Sequence, residues 1–156
     1  MSIQSTESSH PLLSCTDDIA TSTTDILLLI GRVLLGWLFF TTAWGKLFGS
    51  IDGFAGYLRA LHVPAPEFFA WIGAVVEFVV GVTLILGLAT RYGALLCVLF
   101  LIVATALAHR YWEYPAAQMS GQKTNFLKNL AILGGALCLF VTGGGRFSVD
   151  RMLAKR

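Results

Sequence analysis

Hydrophobic residues in this chain are gathered into four long runs separated by shorter polar stretches. The runs cover about residues 26–48, 68–90, 92–112 and 126–142. A helix rises about 1.5 Å per residue, so about 20 residues cross a hydrocarbon core that is about 30 Å thick. The pattern therefore predicts four transmembrane helices.

The connections between the runs predict how the helices are arranged. Residues 90–93 form a connection so short that the second and third helices must be antiparallel neighbours. After the first run, apolar side chains recur at helical spacing at Phe54, Tyr57, Leu58 and Leu61. This spacing is typical of a short helix lying in the membrane interface. We therefore predict an all-α membrane protein, an antiparallel bundle of four transmembrane helices with a short interfacial helix after the first.

Both ends of the chain are polar. Residues 1–25 are rich in Ser and Thr and contain no Lys or Arg, so they lack the basic start of a signal peptide. We predict that they form a disordered tail before a membrane domain at residues 26–145, with a basic tail at residues 146–156. We call the end of the bundle with both tails the tail face, and the opposite end, with the two longer loops, the loop face. The basic tail favours a cytoplasmic location for both termini.

Composition supports a membrane location and excludes several other classes. The chain has 156 residues, a mean hydropathy of +0.73 and only 13% charged residues, about half the usual share. The lipid bilayer is therefore its first predicted partner. The net charge of +2 is small and dispersed, which argues against nucleic acid. The three cysteines form no CxxC pair, so thiol–disulfide chemistry by this chain alone is disfavoured.

Arg32 lies about two turns into the first apolar run, and Glu77 lies near the middle of the second. A charge at such a depth costs several kcal/mol unless it meets a partner, water or a cation. We predict a buried charge pair between Arg32 and Glu77. The pair either fixes helix packing, or Glu77 titrates and marks a proton or substrate path.

A second group of polar and aromatic residues is predicted at the loop face. We predict ligand contacts from Lys46, His109, Trp112, Lys128 and Asn129. Lysine and histidine donate to carbonyl or acidic oxygens, and tryptophan offers a flat apolar surface. The set suits a quinone-like or anionic group better than a metal, because metals favour several His, Cys or carboxylate ligands. A histidine here also fits a packing role, and no catalytic residue is identified.

Four separated segments carry a family resemblance. They are RVLLGWLFFTTAWGKLFG, GAVVEFVVGVTLILGLATR, AHRYWE and NFLKNLAILGGALCLFVTGGGRFSVDR. In this order they resemble the DoxX family of small bacterial membrane proteins, over about residues 29–151. The resemblance implies a four-helix protein of the bacterial inner membrane. Relatives include a subunit of thiosulfate:quinone oxidoreductase and members associated with oxidative, thiol or quinone stress.

These features lead to three functional hypotheses. The first is an accessory membrane subunit in redox or stress metabolism that binds a quinone-like molecule near the loop face, with an oxidoreductase subunit as partner. The second is a small-molecule permease or efflux component that uses Glu77 as a proton-coupled site. The third is a structural anchor for a soluble oxidoreductase. The identity of the cofactor, the oligomeric state and catalytic turnover are left open.

Overall fold

The computed structural model describes residues 11–155, and the regular elements in this range are all helical. The six α-helices are α1 (Pro11–Trp44), α2 (Ile51–Ala60), α3 (Pro66–Leu86), α4 (Thr90–Ala108), α5 (Ala116–Thr142) and α6 (Val149–Leu153). A π-helical turn, Gly45–Gly49, continues α1, and a 3-10 turn, Tyr111–Glu113, follows α4. The predicted all-α fold is confirmed.

Within the described residues, four stretches are long and apolar enough to cross a membrane. They are Ser22–Gly49, Pro66–Leu86, Thr90–Glu113 and Ala116–Thr142. The prediction of four membrane-spanning helices is therefore confirmed. The last stretch begins well before the predicted residue 126, because a polar sequence after Pro115 continues the same helix beyond its apolar part.

The first helix also begins earlier than predicted. Helix α1 starts at Pro11, so residues 11–25 of the predicted disordered tail are helical. Local hydrogen bonds explain how a polar stretch keeps helical structure, since the Thr23 hydroxyl donates to the Ile19 carbonyl at 2.6 Å. The rest of the predicted tail, residues 1–10, lies outside the described residues.

Helices α1 and α3 touch backbone to backbone through two glycines. A Cβ atom at Gly81 would lie 2.6 Å from the Phe40 nitrogen, and one at Gly36 would lie 2.9 Å from the Gly81 carbonyl oxygen. Small residues permit this close approach in a membrane. Because the helices are antiparallel, these contacts place Phe40 beside Gly81 and Gly36 beside Ile85, so Arg32 lies level with the end of α3.

The main core lies where the four long helices meet. Its buried residues are Phe39, Val80, Leu84, Ala94, Cys97, Val98, Leu101, Ala136 and Leu139. A smaller cluster joins α2 to α3 through Ala55, Leu58 and Ala70. The interfacial helix is thus fixed against the start of α3.

After its last membrane span, the chain returns to the beginning of the first span. Gly143 and Gly145 have φ angles of +79° and +71°, a left-handed conformation that glycine adopts readily. The turn brings the Arg146 backbone N–H to the Asp25 carboxylate, to which it donates at 2.8 Å. The beginning of the first span and the end of the chain therefore lie on the same face of the bundle.

Candidate functional site

A buried ion pair joins α3 to the π-helical turn after α1. The Lys46 Nζ atom lies 2.5 Å from the Glu77 Oε1 atom. Only 7% of the Glu77 side chain is exposed, compared with 26% of the Lys46 side chain. The second Glu77 oxygen, Oε2, is buried without a hydrogen-bond partner among the described residues. Lys46 is therefore the cation that balances the membrane carboxylate.

Local structure explains how Lys46 reaches this position. The π-helical turn Gly45–Gly49 widens the helix by one residue per turn and so changes the direction of the side chains that follow. The Lys46 ammonium also lies 4.3 Å from the centre of the Phe54 ring in α2, which gives it a second favourable contact. Such turns occur frequently at functional sites.

The predicted pair between Arg32 and Glu77 is wrong. The Arg32 Nη1 atom donates to the carbonyls of Leu84 and Ile85 at 2.9 and 2.6 Å. The register of α1 against α3 explains the error, because the Arg32 guanidinium reaches the Ile85 carbonyl, eight residues from Glu77 along α3. Eight residues correspond to about 12 Å of helix, which separates the two charges by depth.

Arg32 instead satisfies the end of α3. The last carbonyls of a helix have no partner within it, and the Arg32 guanidinium donates to two of them. Its Nη2 atom donates to the Phe147 carbonyl in the segment after the last span. Arg32 is thus a buried structural connection between α1, α3 and the end of the chain.

Asp150 completes this connection at the tail face. Its carboxylate accepts the backbone N–H groups of Ala89 and Thr90 at 2.6 and 2.8 Å, at the start of α4. Burial raises the pKa of Asp150, but the hydrogen bonds from Thr90 and Ala89, with the nearby charge of Arg32, lower it below its ordinary value. Asp150 is therefore charged at neutral pH and holds α6 against α4.

At the loop face, three of the predicted ligand residues have partners within the protein. Lys46 binds Glu77, the Lys128 ammonium donates to Asn125 at 3.2 Å, and the His109 Nδ1 atom lies 2.8 Å from the Gln122 amide oxygen. None of these three side chains lines the groove between α4 and α5 that contains the other two predicted residues. Their roles as ligand contacts stay predictions.

The other two predicted residues, Trp112 and Asn129, line a single groove between α4 and α5. The groove has a volume of about 310 Å³ and mostly apolar walls. Its lining residues are Leu101, Ile102, Thr105, Ala106, Arg110, Trp112, Phe126, Asn129, Leu130 and Leu133. At its base the buried Asn129 amide donates to the Thr105 hydroxyl at 2.9 Å. The groove thus combines a polar base with an apolar surface.

Aromatic rings form the outer end of this groove. Tyr111, Trp112 and Phe126 pack edge to face, with ring centres between 5.1 and 6.0 Å apart. Tyr57 and Tyr114 lie nearby, and both hydroxyls donate to the Ala108 carbonyl. Burial, together with the Tyr114 hydroxyl, raises the pKa of Tyr57 to about 12. Tyr57 is therefore neutral at physiological pH and packs at the end of α4 without adding charge.

Comparison with known proteins identifies the family. The DoxX family model matches residues 27–110, more than half of the chain. The chain belongs to the DoxX family. This DoxX protein is 35% identical to the inner membrane protein YqjF of Escherichia coli over 135 residues, which are 85% of this chain and 95% of YqjF.

Two further relatives support the assignment. The inner membrane protein YphA of Escherichia coli is 32% identical over 126 residues, 81% of this DoxX chain and 89% of YphA. The Mycobacterium tuberculosis membrane protein Rv3486 is 30% identical over 130 residues, 80% of each chain. No solved structure matches. Lys46, Glu77 and Arg32 lie within the region matched by the family model, whereas Asn129 lies beyond it.

The structure adds residues to the site that the sequence did not single out. Thr105, Arg110 and Phe126 line the groove of this DoxX protein beside Trp112 and Asn129. Thr105 lies four residues before His109, so helical spacing places both on one side of α4 and could have indicated it. Within residues 11–155, no group of three His, Cys, Asp or Glu side chains is placed to hold a metal ion.

Proposed function

We propose that this DoxX-family membrane protein is an accessory subunit in redox or oxidative-stress metabolism and holds a quinone-like molecule in the groove between α4 and α5. The observation that supports this proposal is the buried Asn129–Thr105 hydrogen bond at the base of an aromatic-ended apolar groove. A volume of about 310 Å³ is at the small end of ligand pockets. It suits a single substituted ring.

The chemistry of a quinone head group complements the groove. Its flat ring would lie against Trp112 and Phe126, and its carbonyl oxygens accept hydrogen bonds. The Asn129 amide has two N–H donors. One donates to the Thr105 hydroxyl, and the second would donate to a quinone carbonyl. The Arg110 guanidinium lines the groove and supplies a further donor while it pairs with Glu113 at 3.2 Å. An isoprenoid chain would leave the groove along its aliphatic wall into the bilayer.

Electron transfer requires a partner in this proposal. The chain has no CxxC pair, so it binds and orients the acceptor while a second oxidoreductase subunit supplies the electrons. This assignment goes with a location in the bacterial inner membrane and with cytoplasmic termini. The relatives YphA and YqjF are both inner membrane proteins. The basic residues after α5 support the cytoplasmic side for the tail face.

Binding of a short-chain quinone to the purified protein tests the proposal. Tryptophan fluorescence is titrated against micelles that lack protein, because quinones partition into detergent. Asn129→Leu removes a buried donor, and we expect binding to weaken about three- to tenfold, as for one neutral hydrogen bond. Asn125→Leu is the matched control, because Asn125 is on the same helix but does not line the groove. Unsaturable quenching, or equal losses in both variants, would refute the proposal.

One observation favours a second function, proton-coupled transport. Glu77 is a membrane carboxylate with one oxygen unpaired among the described residues, and its partner Lys46 is partly exposed at the loop face. Protonation of Glu77 would break its ion pair with Lys46, and loss of the proton would restore it. In proteoliposomes with a trapped pH-sensitive dye, Glu77→Gln should abolish protein-dependent proton flux. Flux that survives this substitution would remove Glu77 from the path.

A further inference from the structure

A basic recess lies on the tail face, at the opposite end of the molecule from the groove. Its volume is about 390 Å³, and its lining residues are Asp25, Gly145, Arg146, Arg151 and Lys155. The chain reaches it through the glycine turn after α5, and α6 closes one side. The recess is therefore formed by the segment that folds back on α1.

The cations of this recess have no acidic partner among the side chains that the structure describes. Those of Arg146, Arg151 and Lys155 take part in none of the ion pairs formed by these described side chains. Asp25, the carboxylate among the lining residues, already accepts the Arg146 backbone N–H at 2.8 Å. Three cations around one occupied carboxylate leave a site that attracts an anion.

Hydrogen bonds to the backbone of residues 145–151 hold the recess in shape. The Ser148 hydroxyl donates to the Gly145 carbonyl at 2.7 Å and accepts the Arg151 backbone N–H at 3.2 Å. The Asp150 backbone N–H donates to the Gly87 carbonyl at 2.9 Å. These bonds fix the backbone of Arg151 and leave its guanidinium free to bind a ligand. The basic side chains of the recess therefore extend from an ordered backbone.

Exposed apolar side chains surround the same segment. Phe147 and Met152 are exposed, as is Tyr92 at the start of α4. At the end of a membrane-spanning bundle such residues lie at the boundary between acyl chains and headgroups. The recess thus opens at the depth where lipid phosphates are found.

We propose that the tail-face recess binds the phosphate of an anionic phospholipid. Arg146, Arg151 and Lys155 surround the phosphate, and Phe147 and Met152 lie beside its glycerol and acyl chains. Basic pockets at membrane faces recognise lipid headgroups through this combination of charges. A neutral zwitterionic lipid offers no net charge to three cations, so the site selects for net anionic headgroups.

A neighbouring recess supplies room for the rest of the headgroup. It has a volume of about 350 Å³ and shares Gly145 and Arg151 with the first. Arg91 lines it, and so does Thr90, whose buried hydroxyl has no hydrogen-bond partner among the described residues. A polyol headgroup such as that of phosphatidylglycerol would extend into this second recess beside Arg91. A free phosphate would occupy only the first recess.

The test measures binding of dioctanoyl phosphatidylglycerol to the full-length protein by native mass spectrometry in a neutral detergent. We expect binding to be at least tenfold tighter than that of dioctanoyl phosphatidylcholine. The Arg151→Gln/Lys155→Gln variant should bind phosphatidylglycerol about 25-fold more weakly, because each basic residue contributes about fivefold. The matched control, Lys123→Gln/Lys128→Gln, removes two exposed charges from α5 and should bind like the unmodified protein.

Two further measurements distinguish binding of the lipid from misfolding and from binding of free phosphate. Arg151→Lys keeps the charge and should retain most of the binding, which distinguishes lost contact from lost folding. Inorganic phosphate alone should bind far more weakly than the lipid. Equal binding of the two lipids, equal effects of the two double variants, or phosphate binding as tight as that of phosphatidylglycerol would each overturn the proposal. None of these results depends on quinone binding at the loop face.

Discussion

The ion pair between Lys46 and Glu77 can be tested by replacing each residue alone and both together. Removal of one partner of a buried pair costs about 3–5 kcal/mol of unfolding free energy. In Lys46→Met, the remaining carboxylate is only 7% exposed, so we expect a loss of about 3 kcal/mol. In Glu77→Gln, the remaining ammonium is 26% exposed and keeps the Phe54 ring, so we expect a smaller loss of about 1–2 kcal/mol.

The assay is reversible unfolding in mixed micelles, with sodium dodecyl sulfate as denaturant and helix content followed by circular dichroism. The double variant Lys46→Met/Glu77→Gln should lose about 1–3 kcal/mol less than the sum of the single losses, as for residues in direct contact. A control cycle combines Glu77→Gln with Lys128→Met, because Lys128 is exposed and its ammonium bonds Asn125 instead. In that control cycle, the loss of unfolding free energy in the double variant should equal the sum of the two single losses to within about 0.5 kcal/mol.

Two results would refute the reasoning. Additive losses for Lys46 and Glu77 would mean that the two side chains do not stabilise one another in the membrane. A larger loss of unfolding free energy in Glu77→Gln than in Lys46→Met would contradict the argument from exposure. It would mean that an unpaired Lys46 ammonium destabilises the fold more than an unpaired Glu77 carboxylate. Either result would also weaken a proton path through this pair.

Three further predictions concern packing and the tail face. Gly81→Ala should destabilise the protein by about 1–3 kcal/mol, since the new Cβ atom would meet the Phe40 backbone, whereas Gly134→Ala, with nothing within 4 Å, should be neutral or slightly stabilising. The pKa of Asp150 lies below its ordinary value of 3.8 in the folded protein. The charged carboxylate therefore stabilises the fold fully above that pH, and this stabilisation is lost as the pH falls through the folded pKa. In thermal denaturation from pH 7 to pH 3, the melting temperature should fall more steeply in the unmodified protein than in Asp150→Asn. Arg32→Met should lower the unfolding free energy by about 3 kcal/mol, because buried carbonyls lose charged donors, and the same micelle titration should detect it.

The helices could be predicted because their signal is long and local. Each span is a run of apolar residues, and lipid imposes a minimum length on it. The ends were harder to predict, because polar helix turns outside the hydrocarbon resemble loops. The Ser- and Thr-rich residues 11–25 at the start of α1 and the polar start of α5 are both helical in the structure, and no hydrophobic pattern distinguishes them from irregular chain.

The charge pairing could not be predicted from residue types alone. Arg32 and Glu77 are the conspicuous charges within the spans, but Arg32 binds backbone carbonyls, which leave no trace in the sequence. Lys46 reaches Glu77 through a π-helical turn, a local change of pitch with no strong sequence signal. The contact of Gly36 with Gly81 would have excluded the wrong pair, because it places Arg32 and Glu77 at different depths.

The candidate groove was predicted in part. Trp112 and Asn129 were expected to share a site because both lie near the loop face, and the structure places them on one surface. His109 and Lys128 were expected there for the same reason. His109 follows the end of α4, and its Nδ1 atom meets Gln122 instead. Helical rotation separates Lys128 from the groove, since a residue one position away on a helix points about 100° away. Lys128 therefore bonds Asn125 while the adjacent Asn129 is buried against Thr105.

The bond from Arg32 to the Phe147 carbonyl has a consequence for the order in which the protein is made. The two residues are 115 positions apart, so the first helix enters the membrane long before its last acceptor has been synthesised. During translation the guanidinium must rely on water, lipid phosphates or the insertion machinery. A chain that stops before Phe147 would contain all four spans and still leave this cation incompletely satisfied. Satisfaction of Arg32 at this face therefore waits for the segment after the fourth span, since the Phe147 carbonyl is the last of its three acceptors to be synthesised.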